Sequence, residues 1–487
     1  MKFFQRIPGT FKRTPLILAF ICAGMNFLCG QSTSTSSPYS RFGIGALENT
    51  GFSEITAMGG AYTAMQNDSL PFIINQGNPA SYPFNRDVIF SMGARYSFSN
   101  FTDNQNGTVK AQNGGFNYIS LAFPIGKKKL IGAAFGLAPF TSIGYQATTY
   151  DQVDSIGQVT NNYRGSGGIN QLYGGVGFRP IQWGLKNSLL DTLQKLGRYR
   201  SIRRKRFLRN TLSSWSLGAN VSFMYGNINY ATRKYFPAQL GAVFNTLDYT
   251  ETEMKDIYYQ LGSQISFQID SVGRKGLKNK IKITLGYSIS LPKNMQAYAT
   301  HVSCNFSLGS YNNEIPFDTF SYQPNFSGKI FLPLMHSAGF GLKIGKSLNI
   351  FGDAGFQQWS KFTFLGQNQQ LSDQYRFSFG GQILPNRQAI GRSTFFKRVS
   401  YRFGARYNTG YINLNGYKID DRAISAGLGL PVGLPSNRTT FKPTVNITAE
   451  YGMGGTVMNQ LVAVRYFRII IGFTICDSGW FWKRRYD

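Results

Sequence analysis

The chain has 487 residues and a formal charge of +29; 42% of it is hydrophobic, 15% aromatic and 15% charged, with 55 glycines and two histidines. The charged fraction is well below the roughly 25% of soluble domains, and after residue 30 no apolar run approaches the roughly 18–20 residues of a membrane helix. So rich an aromatic content excludes a disordered chain, and two histidines leave little room for histidine-based metal or acid–base chemistry. What remains is a large, glycine- and aromatic-rich all-β protein.

Residues 1–30 read as a signal peptide. Lys2, Arg6, Lys12 and Arg13 form a basic leader, Pro15 to Leu28 is a short apolar stretch, and Gly30 precedes a Ser/Thr tract. This is the three-part layout of a secretory signal, with a core too short to span a bilayer. Cleavage there removes Cys22 and Cys29 and leaves Cys304 and Cys476, a pair that is no disulfide framework.

The mature chain repeats one pattern: ten or so residues of period-two alternation, closed by Gly, Pro, Asn or Lys. Across residues 88–98, Phe90, Met92, Ala94, Tyr96 and Phe98 oppose Ser91, Gly93, Arg95 and Ser97. Residues 281–291 set Ile281, Ile283, Leu285, Tyr287 and Ile289 against Lys282, Thr284, Gly286 and Ser288. Residues 217–226, 261–270, 424–430, 445–452 and 467–476 behave alike. Such alternation marks strands with one apolar and one polar face. A soluble sandwich would show it too. The segment lengths decide, being close to the 9–11 residues of a tilted membrane strand. The non-apolar faces also carry Gly, Ser, Asn, Thr and Gln rather than Lys and Glu, and aromatics recur near strand ends. The expected fold is a transmembrane antiparallel β-barrel, whose closure satisfies every backbone group where lipid cannot.

Between about residues 184 and 214 the alternation fails. A leucine-spaced stretch is followed by the basic run Arg198–Arg209, suited to anionic headgroups or a periplasmic partner rather than nucleic acid. There is no CxxC, HExxH or Gly-x-Ser-x-Gly. Gly175-Val-Gly177 sits in an alternating strand, and neither His301 nor His336 lies in a hydrolase motif. No catalytic residue, metal site or cofactor is expected.

The segment Ala57-Met-Gly-Gly-Ala61, then Asn67-Asp-Ser69, then Gln76-Gly-Asn-Pro-Ala80 resembles the N-terminal hatch of FadL-type outer-membrane transporters of long-chain fatty acids and other hydrophobic compounds. More distantly it is similar to a barrel of the type nine secretion system. Ser37-Pro-Tyr-Ser-Arg-Phe-Gly-Ile-Gly45, Gln358-Trp-Ser360, Glu450-Tyr-Gly452 and the tail Trp480-Phe-Trp-Lys-Arg-Arg-Tyr486 look like one branch of that family. The resemblance implies a hatch over residues 31–85 inside an all-β barrel of about 14 strands over residues 86–487, in the outer membrane of a Gram-negative bacterium. It implies passive uptake of a hydrophobic, fatty-acid-like cargo with sideways release into the bilayer, since an apolar molecule gains nothing by entering aqueous periplasm. The partners would be outer-membrane lipid and lipopolysaccharide, the cargo, and a periplasmic or secretion-complex protein. The rival reading is a non-transporting barrel that serves a secretion or surface-assembly complex.

Five residues are candidates for the hatch and gate. Asn78, Pro79 and Ala80 suit a tight turn, with Asn bonding local backbone and Pro fixing φ; a structural and a gating role both fit. The third strand, expected over about residues 130–144, is interrupted by Pro139, which lacks an N–H and belongs at a bulge or edge. A closed barrel has no edge, so Pro139 marks either a local break in the wall or a bulge near the rim. Gly136, with Gly132, removes side chains beside it and would widen a break. The resemblance adds that FadL-type barrels open laterally through a kink in their third strand.

Overall fold

The computed structural model describes residues 37–48, 51–67, 73–104, 107–154, 156–181, 210–237, 244–272, 278–309, 313–345, 347–386, 389, 392–414, 416–433 and 441–477. The leader, Cys22 and Cys29, the Arg198–Arg209 run and the aromatic tail lie outside the described residues. Sixteen long strands follow one another as β1 Val88–Asp103, β2 Gly107–Ile125, β3 Ile131–Val153, β4 Gly157–Phe178, β5 Ser216–Tyr235, β6 Asn245–Val272, β7 Lys278–Ser290, β8 Lys293–Leu308, β9 Glu314–Leu332, β10 Met335–Ile344, β11 Leu348–Gln357, β12 Gln374–Ile383, β13 Ser400–Asn408, β14 Asp421–Pro431, β15 Phe441–Gly454 and β16 Ala463–Asp477.

Fourteen of them close a barrel. Neighbours pair antiparallel from β1 to β7, then β7 with β10, onward to β16, and β16 returns to β1 from Val88↔Asp477 to Thr102↔Ala463. The β8–β9 hairpin is an outgrowth. The lower half of β6 pairs with β7, and its upper part, from Asn245 to Met254, pairs with β8 instead.

The burial of the wall is inverted relative to a soluble protein. Leu285 is 46% exposed and Phe379 50%, whereas Thr284 and Ser288 are 3% exposed. The apolar face therefore points outward to lipid and the small polar face inward, as expected of a membrane barrel. Strand length departs from expectation: β1 to β6 have 16 to 28 residues, not ten or so. Alternation marks the part that faces lipid, and the outer end of β3, residues 146–153, is exposed on both faces.

Inside, the N-terminal residues pack against strands all round the wall. The helix Ser53–Thr56 touches β14, β15 and β16, while the 3-10 helix Pro79–Phe84 touches β2 through β6. Gly59 and Gly60 both have positive φ (68° and 79°), which only glycine adopts without strain. That turn lays the Met58–Gly59 backbone directly on Gly404 of β13, where any side chain would collide. A glycine-rich inner face thus serves close backbone approach. Two apolar clusters form: a lower one around Phe52, Met58, Tyr62 and Tyr82, and an upper one joining Ile44 to Trp359, Phe362, Tyr411 and residues of β3 to β6.

Candidate functional site: a break in the wall beside Pro139

β2 and β3 pair from Ile125↔Ile131 up to Ile119↔Leu137, and there the ladder between them stops. Both strands continue outward, residues 107–118 paired with β1 and residues 138–153 with β4, without pairing each other. The stop coincides with Pro139, whose missing N–H cannot serve a ladder. The register against β4 shifts between Pro139 and Thr141, leaving Phe140 as a bulge.

The N-terminal residues take the vacant place. Ala46 pairs with Ser142 and Leu47 with Thr141, and the Glu48 N–H donates to the Phe140 carbonyl at 2.9 Å. The Glu48 carboxylate then spans the opening. Arg95 of β1 donates to it through both terminal nitrogens, Nη2 at 2.6 Å to Oε1, and the Ser142 hydroxyl donates to Oε1 at 2.7 Å. Burial alone would raise the Glu48 pKa, but the Arg95 guanidinium and these hydrogen bonds hold it down to about 2. Glu54, by contrast, is pushed up by burial, which the Arg402 charge and hydrogen bonds only partly offset.

A cavity of about 350 Å³ lies between the two apolar clusters and reaches Leu47, Glu48, Phe140 and Ser142 at the break. Its other walls include Tyr62, Gln76, Gln171, Gln260, Gln357 and Arg376. On the β13–β16 side, Arg406 meets Glu450 at 2.5 Å and Asp421 at 3.2 Å, and Arg468 meets Glu450 at 3.1 Å. Arg376 donates to the Tyr62 hydroxyl at 2.6 Å and stacks over its ring.

Asn78 acts as a cap: its Oδ1 accepts the Ala80 N–H at 3.1 Å, and its Nδ2 donates to the Thr63 carbonyl at 2.7 Å and the Tyr287 carbonyl at 3.3 Å. Pro79 starts the 3-10 helix, its backbone seated on Gly177 and Gly218. These residues lie against β4 to β7, and no hydrogen bond joins them to Pro139 among the described residues. Two expectations are corrected. Pro139 lies well inside a strand that runs from Ile131 to Val153, not near its end. Gly136 does not widen the break: it lies in the intact ladder opposite Ser120, where a Cβ would meet the Ile119 carbonyl at 2.5 Å. Gly132 likewise makes room for the Tyr82 carbonyl of the N-terminal segment.

Sequence reasoning missed Glu48, Arg95 and Ser142. The available signal was Arg95, a lone charge on a Ser/Gly inner face, together with one of the few acidic residues before the barrel. His301 touches Ser303 (Nε2 to Oγ, 3.0 Å), but Thr250 occupies its Nδ1 at 3.1 Å and Asp248 stands off at 3.6 Å, so no carboxylate orients the ring as a triad requires. Among the described residues no group of three or more His, Cys, Asp or Glu is placed to hold a metal. Cys304 and Cys476 are both buried and form no disulfide, and the Cys476 thiol donates to the Asp87 carboxylate at 3.5 Å.

The closed 14-strand antiparallel barrel is a FadL-like fold. Two solved structures share it: a FadL homologue of Pseudomonas aeruginosa (12% identity, 89% of this chain and 99% of that one, TM-score 0.51) and the toluene transporter TodX of P. putida (11%, 88% and 99%, 0.51). Both are transport-type barrels rather than enzymes. No curated protein sequence matches the chain. The BamG family model matches residues 11–185 and 209–487, and the chain belongs to the BamG family.

Proposed function

We propose that this is an outer-membrane barrel of a Gram-negative bacterium that passes a hydrophobic or amphipathic small molecule sideways into the bilayer, without covalent chemistry. The observation that carries this reading is the end of the β2–β3 ladder at Ile119↔Leu137, beside Pro139. Where β2 and β3 cease to bond each other and only residues 46–48 fill the gap, displacement of that segment offers an apolar solute a path that never crosses water, and the cavity reaches the gap at Phe140. Residues 37–85 act as the plug, with Asn78-Pro79-Ala80 fixing its fold against the wall. The fatty-acid-like cargo of the FadL resemblance suits the exit better than the chamber, whose glutamine and arginine lining fits a polar headgroup.

A second reading, an accessory barrel of a secretion or surface-assembly complex, is favoured by the two apolar clusters that pack the N-terminal residues against the wall. One experiment separates them. Pro139→Val restores a donor and a β-branched residue, and transport predicts slower uptake of a fluorescent fatty acid by cells displaying normal amounts of folded barrel. Undiminished uptake by the folded variant removes the lateral exit; absence of uptake in the unaltered protein favours the accessory role.

A further inference from the structure

The two ends of the barrel differ in charge, a difference that neither the plug nor the lateral route uses. Six connections lie at the end where the chain enters β1 and leaves β16: β2–β3, β4–β5, β6–β7, β10–β11, β12–β13 and β14–β15. Their sequences hold 21 Lys and Arg against one acidic residue, Asp191. The seven connections at the other end hold Lys361 and Lys418 against Asp154, Asp373 and Asp420. The basic end includes the short turns 126–130 and 345–347, and short turns belong to the periplasmic side of such barrels.

The described residues show where these charges stand. Lys127, Lys128 and Lys129 fill the turn between β2 and β3 and are all exposed. The Lys129 N–H donates to the Gly126 carbonyl at 3.1 Å and closes the turn. The Lys129 ammonium donates to the Arg86 carbonyl, and Arg179 donates to the Lys129 carbonyl at 3.1 Å while lying over the Phe84 ring. These bonds gather five cations at the base of β1 to β4. Their acidic neighbour is Asp87, which accepts the Cys476 thiol. Immediately above, the exposed side chains of Ile125 and Phe178 end the lipid-facing surface of β2 and β4. So short a turn keeps the lysines beside the bilayer, and their stems can lie on apolar surface with the ammonium at headgroup level.

A second sector lies at the base of β13. The short helix Phe395–Arg398 is tied down there: Arg398 donates to the Gly433 carbonyl at 3.1 Å, and the Asn386 N–H donates to the Lys397 carbonyl at 2.7 Å. Lys397 is exposed, and Phe396 beside it is 73% exposed, more than any other large hydrophobic side chain among the described residues. An acidic protein surface would use the cations and leave that phenylalanine in water. A bilayer interface takes both, the ring at the acyl boundary and the ammonium at the phosphates. The basic connections also run round the barrel, as lipid does, whereas a protein partner meets one sector. We infer that the base of the barrel binds anionic phospholipid headgroups of the surrounding leaflet. Lys127, Lys128, Lys129 and Arg179 form one contact sector, and Lys397 with Phe396 forms another. Zwitterionic lipid is held less strongly, because its own ammonium competes for the phosphate.

The test reconstitutes the full-length protein in phosphatidylcholine vesicles with a trace of spin-labelled phosphatidylglycerol or spin-labelled phosphatidylcholine, and compares how much of each is immobilised at the protein. The unaltered protein should prefer phosphatidylglycerol severalfold, and less so at high salt. Lys127→Gln, Lys128→Gln, Lys129→Gln and Lys397→Gln combined should cut that preference at least about twofold. Lys361→Gln with Lys418→Gln, at the other end, should leave it unchanged. The heat-dependent gel shift of a folded barrel confirms that both variants fold. Phe396→Trp should add emission, read as the difference from the unaltered protein, that brominated phosphatidylcholine quenches. Equal retention of the two lipids, an equal preference in both sets of variants, or added emission that the brominated lipid leaves unquenched overturns the inference. So does binding of polyglutamate to the protein in neutral detergent that phosphatidylglycerol fails to displace.

Discussion

On one side of the barrel, β10 to β13 have ten, ten, ten and nine residues; on the other, β1 to β6 have 16 to 28. The short strands alternate between exposed apolar and buried polar residues along their length, because they do little more than cross lipid. A tilted strand needs about 9–11 residues for that. Among the long strands, β3 alternates only in its lower part. Higher up, both faces of β3 are exposed and the wall no longer needs to be closed, because water can satisfy an unpaired edge. Closure is thus relaxed above the bilayer, whereas the seam between β2 and β3 lies, on the proposed lateral route, at bilayer height, where Ala46, Leu47 and Glu48 bond to β3 in place of β2. It opens seven residue pairs up from the base, on the long-stranded side.

The comparison makes graded predictions. Phe379→Arg, on the outward face midway along β12, puts a charge near the bilayer midplane and should cost roughly 2–4 kcal/mol in folding from urea into lipid. If this variant unfolds at the same urea concentration as the unaltered protein, the short strands do not mark the membrane. Gly404→Val, on the inner face of the same side, should cost about 1–3 kcal/mol by overpacking. Its damage should fall on the N-terminal segment, read as faster protease cleavage near Met58 with the wall still folded. Gly286→Ser belongs with it, because the new side chain would strike the Thr63 carbonyl.

At the seam, the Glu48 bridge should respond to acid late. Glu48 has a folded pKa of about 2 against an ordinary 4.5. Its contribution is therefore complete above the ordinary value and is lost as pH falls from about 4.5 through about 2. Amide exchange of residues 46–48 should stay slow at pH 5 and rise below pH 3, while Glu48→Gln should exchange fast at both. A midpoint near pH 4.5 in the unaltered protein would show that Arg95 does not hold the carboxylate. The smallest effect is expected highest on the long side: Tyr150→Arg, at a residue 65% exposed, should change stability by no more than about 0.5 kcal/mol. A loss as large as that of Phe379→Arg would place this part of β3 in lipid.

The alternation of residues such as Phe90 to Phe98 and Ile281 to Ile289 determined the strands, their outward faces and the barrel, because lipid and lumen each select one face of every strand. Pro139 marked the break, because a missing N–H is a local property of one residue. Asn78-Pro79 marked a turn for the same reason. Strand ends were illegible above the membrane, where both faces of β3 meet water and the pattern fades. Glu48, Arg95 and Ser142 were equally hidden. They are 47 and 94 residues apart from Glu48 along the chain, and closing the barrel around its own N-terminal residues is what brings them together. Tertiary structure likewise decided that Gly136 tightens the wall rather than opening it, since a glycine widens a gap or permits close approach according to what stands opposite.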